Sequence, residues 1–172
     1  MRTIFLDTSY LLALIRKKDA RHEAALSASA NHAGPFITTD LVLVELANCL
    51  AQPPYRATAV AIIEKIRADR NTRVVSFDSE GMKKALALYK GRPDKAWGLV
   101  DCFSFVVMKE GRLKVALCFD EHFRQAGSPL FSFRVRLRPG RAHAPEGGPM
   151  GRRPKRGITI SPFGKGGIRG IL

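Results

Sequence analysis

The first apolar run, Thr3-Ile4-Phe5-Leu6, is short, rich in β-formers and stopped by Asp7, and it predicts a buried strand. Thr8 or Ser9 then caps a helix through Ile15. Residues 20–32 are alanine-rich and helix-forming, and Gly34-Pro35 breaks them. Phe36-Ile37-Thr38 predicts a second strand. Thr39 or Asp40 caps the next helix, from Leu41 to about Leu50, which Pro53-Pro54 ends. Residues 55–69 form a helix with Val60, Ile63 and Ile66 on its recurring face. Val74-Val75-Ser76-Phe77 is a third strand, after which Asp78 or Ser79 caps a helix to Tyr89. Gly91-Arg92-Pro93 opens a loop, residues 99–109 are helical, and Gly111 ends them. Val115-Ala116-Leu117-Cys118-Phe119 is a fourth strand, residues 120–125 a short helix, and residues 130–133 a fifth, edge strand.

Every strand is a continuous apolar run, and strands alternate with helices. That pattern is an α/β fold, a three-layer α/β/α sandwich around a central parallel sheet of four to five strands. Right-handed crossovers put all strand C-termini at one edge of such a sheet, where ligands bind.

Charge divides the chain in two. The net charge is +14, which favours polyanions such as nucleic acid as partners. Residues 128–172 hold ten Lys and Arg against one acid, Glu146, together with nine of the 15 Gly and six of the 10 Pro. Apolar periodicity stops at Pro139, and such a composition cannot offset its ordering entropy by burial. The expected organisation is a folded domain over residues 1–133 and a basic, disordered tail over residues 134–172. The tail reads first as an extension without a role and second as an RNA-binding arm acting through counterion release. Three cysteines, Cys49, Cys102 and Cys118, form no CxxC pair, so neither a disulfide framework nor a zinc knuckle is expected. A reducing cytoplasm follows. Asp7 interrupts the first apolar run, which argues against a signal peptide, and no apolar stretch is long enough to span a membrane.

The candidate chemistry is acidic. Two strands run into an aspartate, Leu6 into Asp7 and Phe119 into Asp120, so parallel strands bring both carboxylates to one pole. Glu45 stands among Leu41, Val42, Leu43, Val44 and Leu46, where a lone acid is costly unless something pairs with it. Asp101 lies near a helix start, flanked by Gly98-Leu99-Val100 and Cys102-Phe103. Each aspartate alone reads as an ordinary helix cap. Together, four converging carboxylates repel, and Mg²⁺ or Mn²⁺, hard cations that take oxygen ligands, relieves the repulsion. Two such ions about 3.5–4 Å apart activate water and stabilise the leaving oxygen of a phosphodiester.

At these residues the chain resembles PIN-domain endoribonucleases, in particular the VapC-like toxins of bacterial toxin–antitoxin pairs. The stretches that carry the resemblance are Phe5-Leu6-Asp7-Thr8-Ser9, residues 38–48 around Glu45, residues 94–105 around Asp101, and Asp120-Glu121-His122-Phe123 with Ala126-Gly127. They occur in family order over nearly all of residues 1–127. The resemblance implies Mg²⁺- or Mn²⁺-dependent RNA cleavage, with Asp7 and Asp101 the firmest metal ligands and Glu45 and Asp120 completing the site. It also implies a homodimer and silencing by a cognate antitoxin. Two features depart from the family. Cys118 stands where members often have a small polar residue two before the last Asp, and the chain continues well past the Ala-Gly segment. An inactive PIN-fold module that only binds RNA or protein is the competing reading.

Lesser residues have plainer expectations. His122 sits solvated on a helix rather than contacting a phosphate. Ser9 either orients Asp7 or caps the first helix. Trp97 packs at the surface or an interface, and Asp94 is a loop carboxylate. Arg16, Lys17, Lys18 and Arg21 form a solvated basic face, with phosphate steering the alternative. Asn48 shares the helix face of Glu45.

Overall fold

The short apolar runs become strands because they are buried on both faces and paired on their edges. The computed structural model describes residues 2–32 and 34–126. It contains β1 (Ile4–Leu6), α1 (Thr8–Ile15), α2 (His22–Asn31), β2 (Phe36–Thr39), α3 (Asp40–Cys49), α4 (Tyr55–Ala68), β3 (Thr72–Val75), α5 (Ser79–Gly91), α6 (Leu99–Glu110), β4 (Ala116–Leu117) and α7 (Glu121–Gln125). The expected fifth strand at residues 130–133, the boundary at 133 and the tail lie outside the described residues.

The sheet has the order β3-β2-β1-β4, and every pairing is parallel. Helices cover both faces, giving the α/β/α sandwich that the alternation predicts. β1 is the switch point, with β2 on one side and β4 on the other, and both neighbours fix its register. Ile4 lies opposite Phe36, and Phe5 opposite both Ile37 and Ala116. The core gathers round it: Phe5, Leu6, Tyr10, Leu46, Met108, Leu117 and Phe123 are almost wholly buried. Each such side chain contributes roughly 1.5–3 kcal/mol of transfer free energy. Among the described residues, no helix is long and apolar enough to cross a membrane.

Several local expectations shift. β3 begins two residues early and leaves Ser76 and Phe77 outside the strand, because its pairing with β2 runs from Phe36–Thr72 to Thr39–Val75. Pairing also limits β4 to two residues opposite the short β1. On α4 the inward positions are Ala59, Ile62 and Ile66, while Val60 is 52% exposed, so the apolar face is turned by one residue at its start. Trp97 is a core residue rather than a surface one. It is 5% exposed, meets Phe105 edge-on at 5.0 Å, and carries Arg92 over its ring.

The contact between α5 and α6 depends on Gly81. Its amide donates to Asp78 Oδ1 at 2.7 Å, which starts the helix, and a Cβ there would stand 2.7 Å from Phe103 Cε2. Phe103 cannot easily yield, because it is buried and held edge-on by Phe77. Gly81→Val is therefore expected to destabilise the fold by about 1–3 kcal/mol, read as a lower urea midpoint at unchanged slope.

Candidate metal centre

The C-terminal edge of the sheet is tied together by hydrogen bonds between its neighbouring strand ends and by helix caps. Thr38 Oγ1 donates to the Leu6 carbonyl at 2.9 Å, and the Asp7 amide donates to the Leu117 carbonyl at 3.1 Å. These two bonds lock the end of β1 between its neighbours. Asp7 then caps α1 itself, in place of Thr8 or Ser9. Its Oδ2 accepts from the Ser9 amide at 3.0 Å and from Ser9 Oγ at 2.6 Å. Ser9 Oγ in turn accepts from the Phe119 amide at 2.8 Å, joining the β1 end to the segment that carries Asp120. Ser9 is therefore not the cap; its amide and its hydroxyl both hold Asp7 in place.

The other three acids are held in a similar way. Thr39 caps α3, and Glu45 Oε2, one and a half turns further on, accepts from Thr8 Oγ1 at 2.6 Å. The pairing that an acid in this apolar helix requires is supplied by that hydroxyl. Asp101 Oδ2 accepts from the Gly98 amide at 2.8 Å, capping α6, and from His122 Nδ1 at 3.0 Å. Asp120 Oδ1 accepts from the His122 amide at 2.9 Å, capping α7, and lies 3.5 Å from His122 Nδ1. Both flanking groups are carboxylates, so Nδ1 carries the hydrogen. The cap reading and the ligand reading therefore coexist. In each of the four acids the side-chain hydrogen bonds found fall on one oxygen, which leaves the second for another partner.

Electrostatic coupling links three of the acids, Asp7 with Asp101 directly and Asp7 with Asp120 through Cys118. Asp7 is 5% exposed, and its pKa is raised from the ordinary 3.8 to about 6. Burial is the main cause; the Ser9 bonds pull the other way, and the negative charge of Asp101 adds to the rise. Cys118, between β4 and α7, has its thiol pushed up by burial and then by the charges of Asp7 and Asp120. Asp94 stays apart from this group. It is exposed, makes a two-pronged pair with Arg92, and this pair holds its carboxyl well below the usual range, as a loop carboxylate should be. Among the described residues no three His, Cys, Asp or Glu side chains form a group that could hold a metal ion in this arrangement. The donor set nevertheless fits a hard cation, because it is all carboxylate oxygen with desolvation and like charge to relieve.

The PIN-domain family profile matches residues 4–129. The chain belongs to the PIN-domain family. Its relatives include the "23S rRNA-specific endonuclease VapC20" of two Mycobacterium tuberculosis strains, each 31% identical over 124 residues, covering 72% of this chain and 94% of the relative. The crystal structure of Mycobacterium tuberculosis VapC20, described as a sarcin–ricin loop cleaving toxin, superposes with a TM-score of 0.68 at 30% identity. That match covers 73% of this chain and 95% of the solved one.

Three contributors to this PIN-domain edge escape sequence reasoning. Thr8 reads only as a cap, yet its hydroxyl partners Glu45. His122 is half-buried between two acids rather than solvated. Arg21, expected on a solvated face, donates Nη1 to the Phe119 carbonyl at 2.9 Å and stacks over the Phe119 ring. No local pattern announces these contacts, because each joins residues far apart in sequence. Asn48 is exposed. A groove of about 920 Å³ on the α5–α6 flank is lined by none of the four acids.

The raised pKa of Asp7 makes ionisation unfavourable in the fold. The penalty is absent below about pH 4, where folded and unfolded carboxyls are both protonated, and complete above about pH 6. Two pKa units correspond to roughly 3 kcal/mol. Asp7→Asn is therefore expected to melt higher than the wild type at pH 8 in EDTA, with the difference vanishing at pH 3.5. Thermal melts across that range check it.

Proposed function

We propose that this chain is a metal-dependent endoribonuclease that hydrolyses RNA phosphodiester bonds, and the toxin partner of a toxin–antitoxin pair. The observation that carries the reading is that Asp7, Glu45, Asp101 and Asp120 are each held by a donor on one carboxylate oxygen, with buried Asp7 in reach of the charge of Asp101. Membership of the PIN-domain family and similarity to a VapC toxin support it.

Asp7 and Asp101 would hold Mg²⁺ or Mn²⁺, with Glu45 and Asp120 completing the set. Bound there, the cation supplies charge neutralisation at the phosphodiester and activation of water. The protein's part is positional. Ser9 fixes Asp7, Thr8 fixes Glu45, and the Gly98 amide fixes Asp101, so the oxygens need little reorganisation. The net charge of +14 favours approach of an RNA backbone. Residues 1–133 would form the nuclease domain and residues 134–172 a basic extension. A cognate antitoxin and a homodimer are the partners that the family likeness suggests.

An inactive binding module has one observation in its favour, the lack among the described residues of a ready three-ligand group. Cleavage assays separate the two readings. The purified chain should cut RNA with Mg²⁺ or Mn²⁺, and a stem-loop with the sarcin–ricin sequence is the first substrate to offer. EDTA should abolish cutting. Asp101→Asn, which keeps a side-chain acceptor for the Gly98 amide, should lower it by at least about a hundredfold with the melting profile retained. RNA binding without cutting, in the full chain and in a chain ending at residue 133, would favour the binding module. Cutting that survives both EDTA and Asp101→Asn would exclude the metal-carboxylate reading.

A further inference from the structure

Two carboxylates that share one neighbour are best served by a hydrogen-bond donor between them. Here one side chain already stands in that place. His122 Nδ1 is 3.0 Å from Asp101 Oδ2 and 3.5 Å from Asp120 Oδ1. The two carboxylates come from different elements, α6 and the start of α7, and this imidazole is their common contact. Its own backbone amide is used separately, as the donor to Asp120 Oδ1. The ring is therefore free to leave without disturbing the cap. The His122 side chain is 27% exposed, against 18% for Asp101 and 40% for Asp120, so it has solvent to swing into.

We infer that His122 is a placeholder for the cation: its imidazole bridges Asp101 and Asp120 in the metal-free protein, and a divalent ion displaces it on entry. This rests on the cation site of the proposed nuclease and adds to it a residue that sets how tightly the ion binds. The placeholder lowers the cost of holding two like charges side by side before metal arrives. An ion that takes Asp101 Oδ2 has to break the bond from the ring, so its affinity is reduced by the strength of that bond.

The test uses the full chain and does not depend on catalysis. Mn²⁺ binding is measured by calorimetry for the wild type, His122→Ala and His122→Asn, and the ring nitrogens of His122 are followed by NMR as Mg²⁺ is added. His122→Ala, which keeps the amide that caps α7, is expected to bind Mn²⁺ about tenfold more tightly. His122→Asn retains a donor at the reach of Nδ1 and should bind as the wild type does. The ring signal should move with the same midpoint as Mg²⁺ binding. Binding with a stationary ring signal, or weaker binding by His122→Ala, would overturn the placeholder and leave the cation site standing. Absence of Mn²⁺ binding in all three proteins, or binding indifferent to Asp101→Asn, would overturn the cation site and the placeholder with it.

Discussion

β1 is three residues long, yet it is paired on both edges and buried on both faces. So short a strand holds its register only because its neighbours fix it from both sides, and its last carbonyl and the following amide are each pinned as well. The consequence is positional. Asp7 leaves the sheet in one direction, at the level where β4 ends. Asp120 is brought alongside by the bond from the Phe119 amide to Ser9. Asp101 lies in the first turn of α6, and Glu45, further along α3, is tied to the β1 end by the Thr8 hydroxyl. The pairing of β1 thus sets where Asp7 stands, and the bonds through Thr8 and Ser9 bring Glu45 and the Asp120 segment to it.

Collecting them is unfavourable on its own. Asp7 is desolvated and feels Asp101, and the neighbouring Cys118 thiol feels both Asp7 and Asp120. The fold answers with donors at each acid: the Ser9 amide and hydroxyl at Asp7, the Thr8 hydroxyl at Glu45, the Gly98 amide and His122 ring at Asp101, and the His122 amide at Asp120. These bonds moderate the repulsion without removing it. A surplus of negative charge left at a sheet edge is what a cation-binding protein has to maintain in order to bind.

Much of this was legible in the sequence, and the reasons differ by element. The α/β alternation and the four described strands follow from apolar runs whose burial is a local property, and Asp7 and Asp120 are visible because each ends such a run. Glu45 stands out by its apolar surroundings alone. The start of α4 was misread by one residue, because Val60 and Ala59 are both apolar and only packing decides which turns inward. β3 was misplaced because its ends are set by β2, a partner more than thirty residues away. Trp97 was assigned to the surface from its charged neighbours, but its ring sits against Phe105 and those neighbours stack over it. The roles of Thr8, Arg21 and His122 rest on contacts between distant segments, and no single-chain pattern encodes these.

The double duty of the aspartates also sets how such a site can decay. Asp7 and Asp120 each start a helix with the same side chain that contributes its charge to the edge. Asn and Ser serve as well as Asp for starting a helix, whereas Ala and the aliphatic residues do not. Loss of negative charge at these positions therefore has a smooth path through Asn or Ser, along which the caps persist while the charge disappears one position at a time. Degenerate members of such a lineage would keep the architecture and stand as scaffolds, recognisable by neutral caps where this chain has carboxylates.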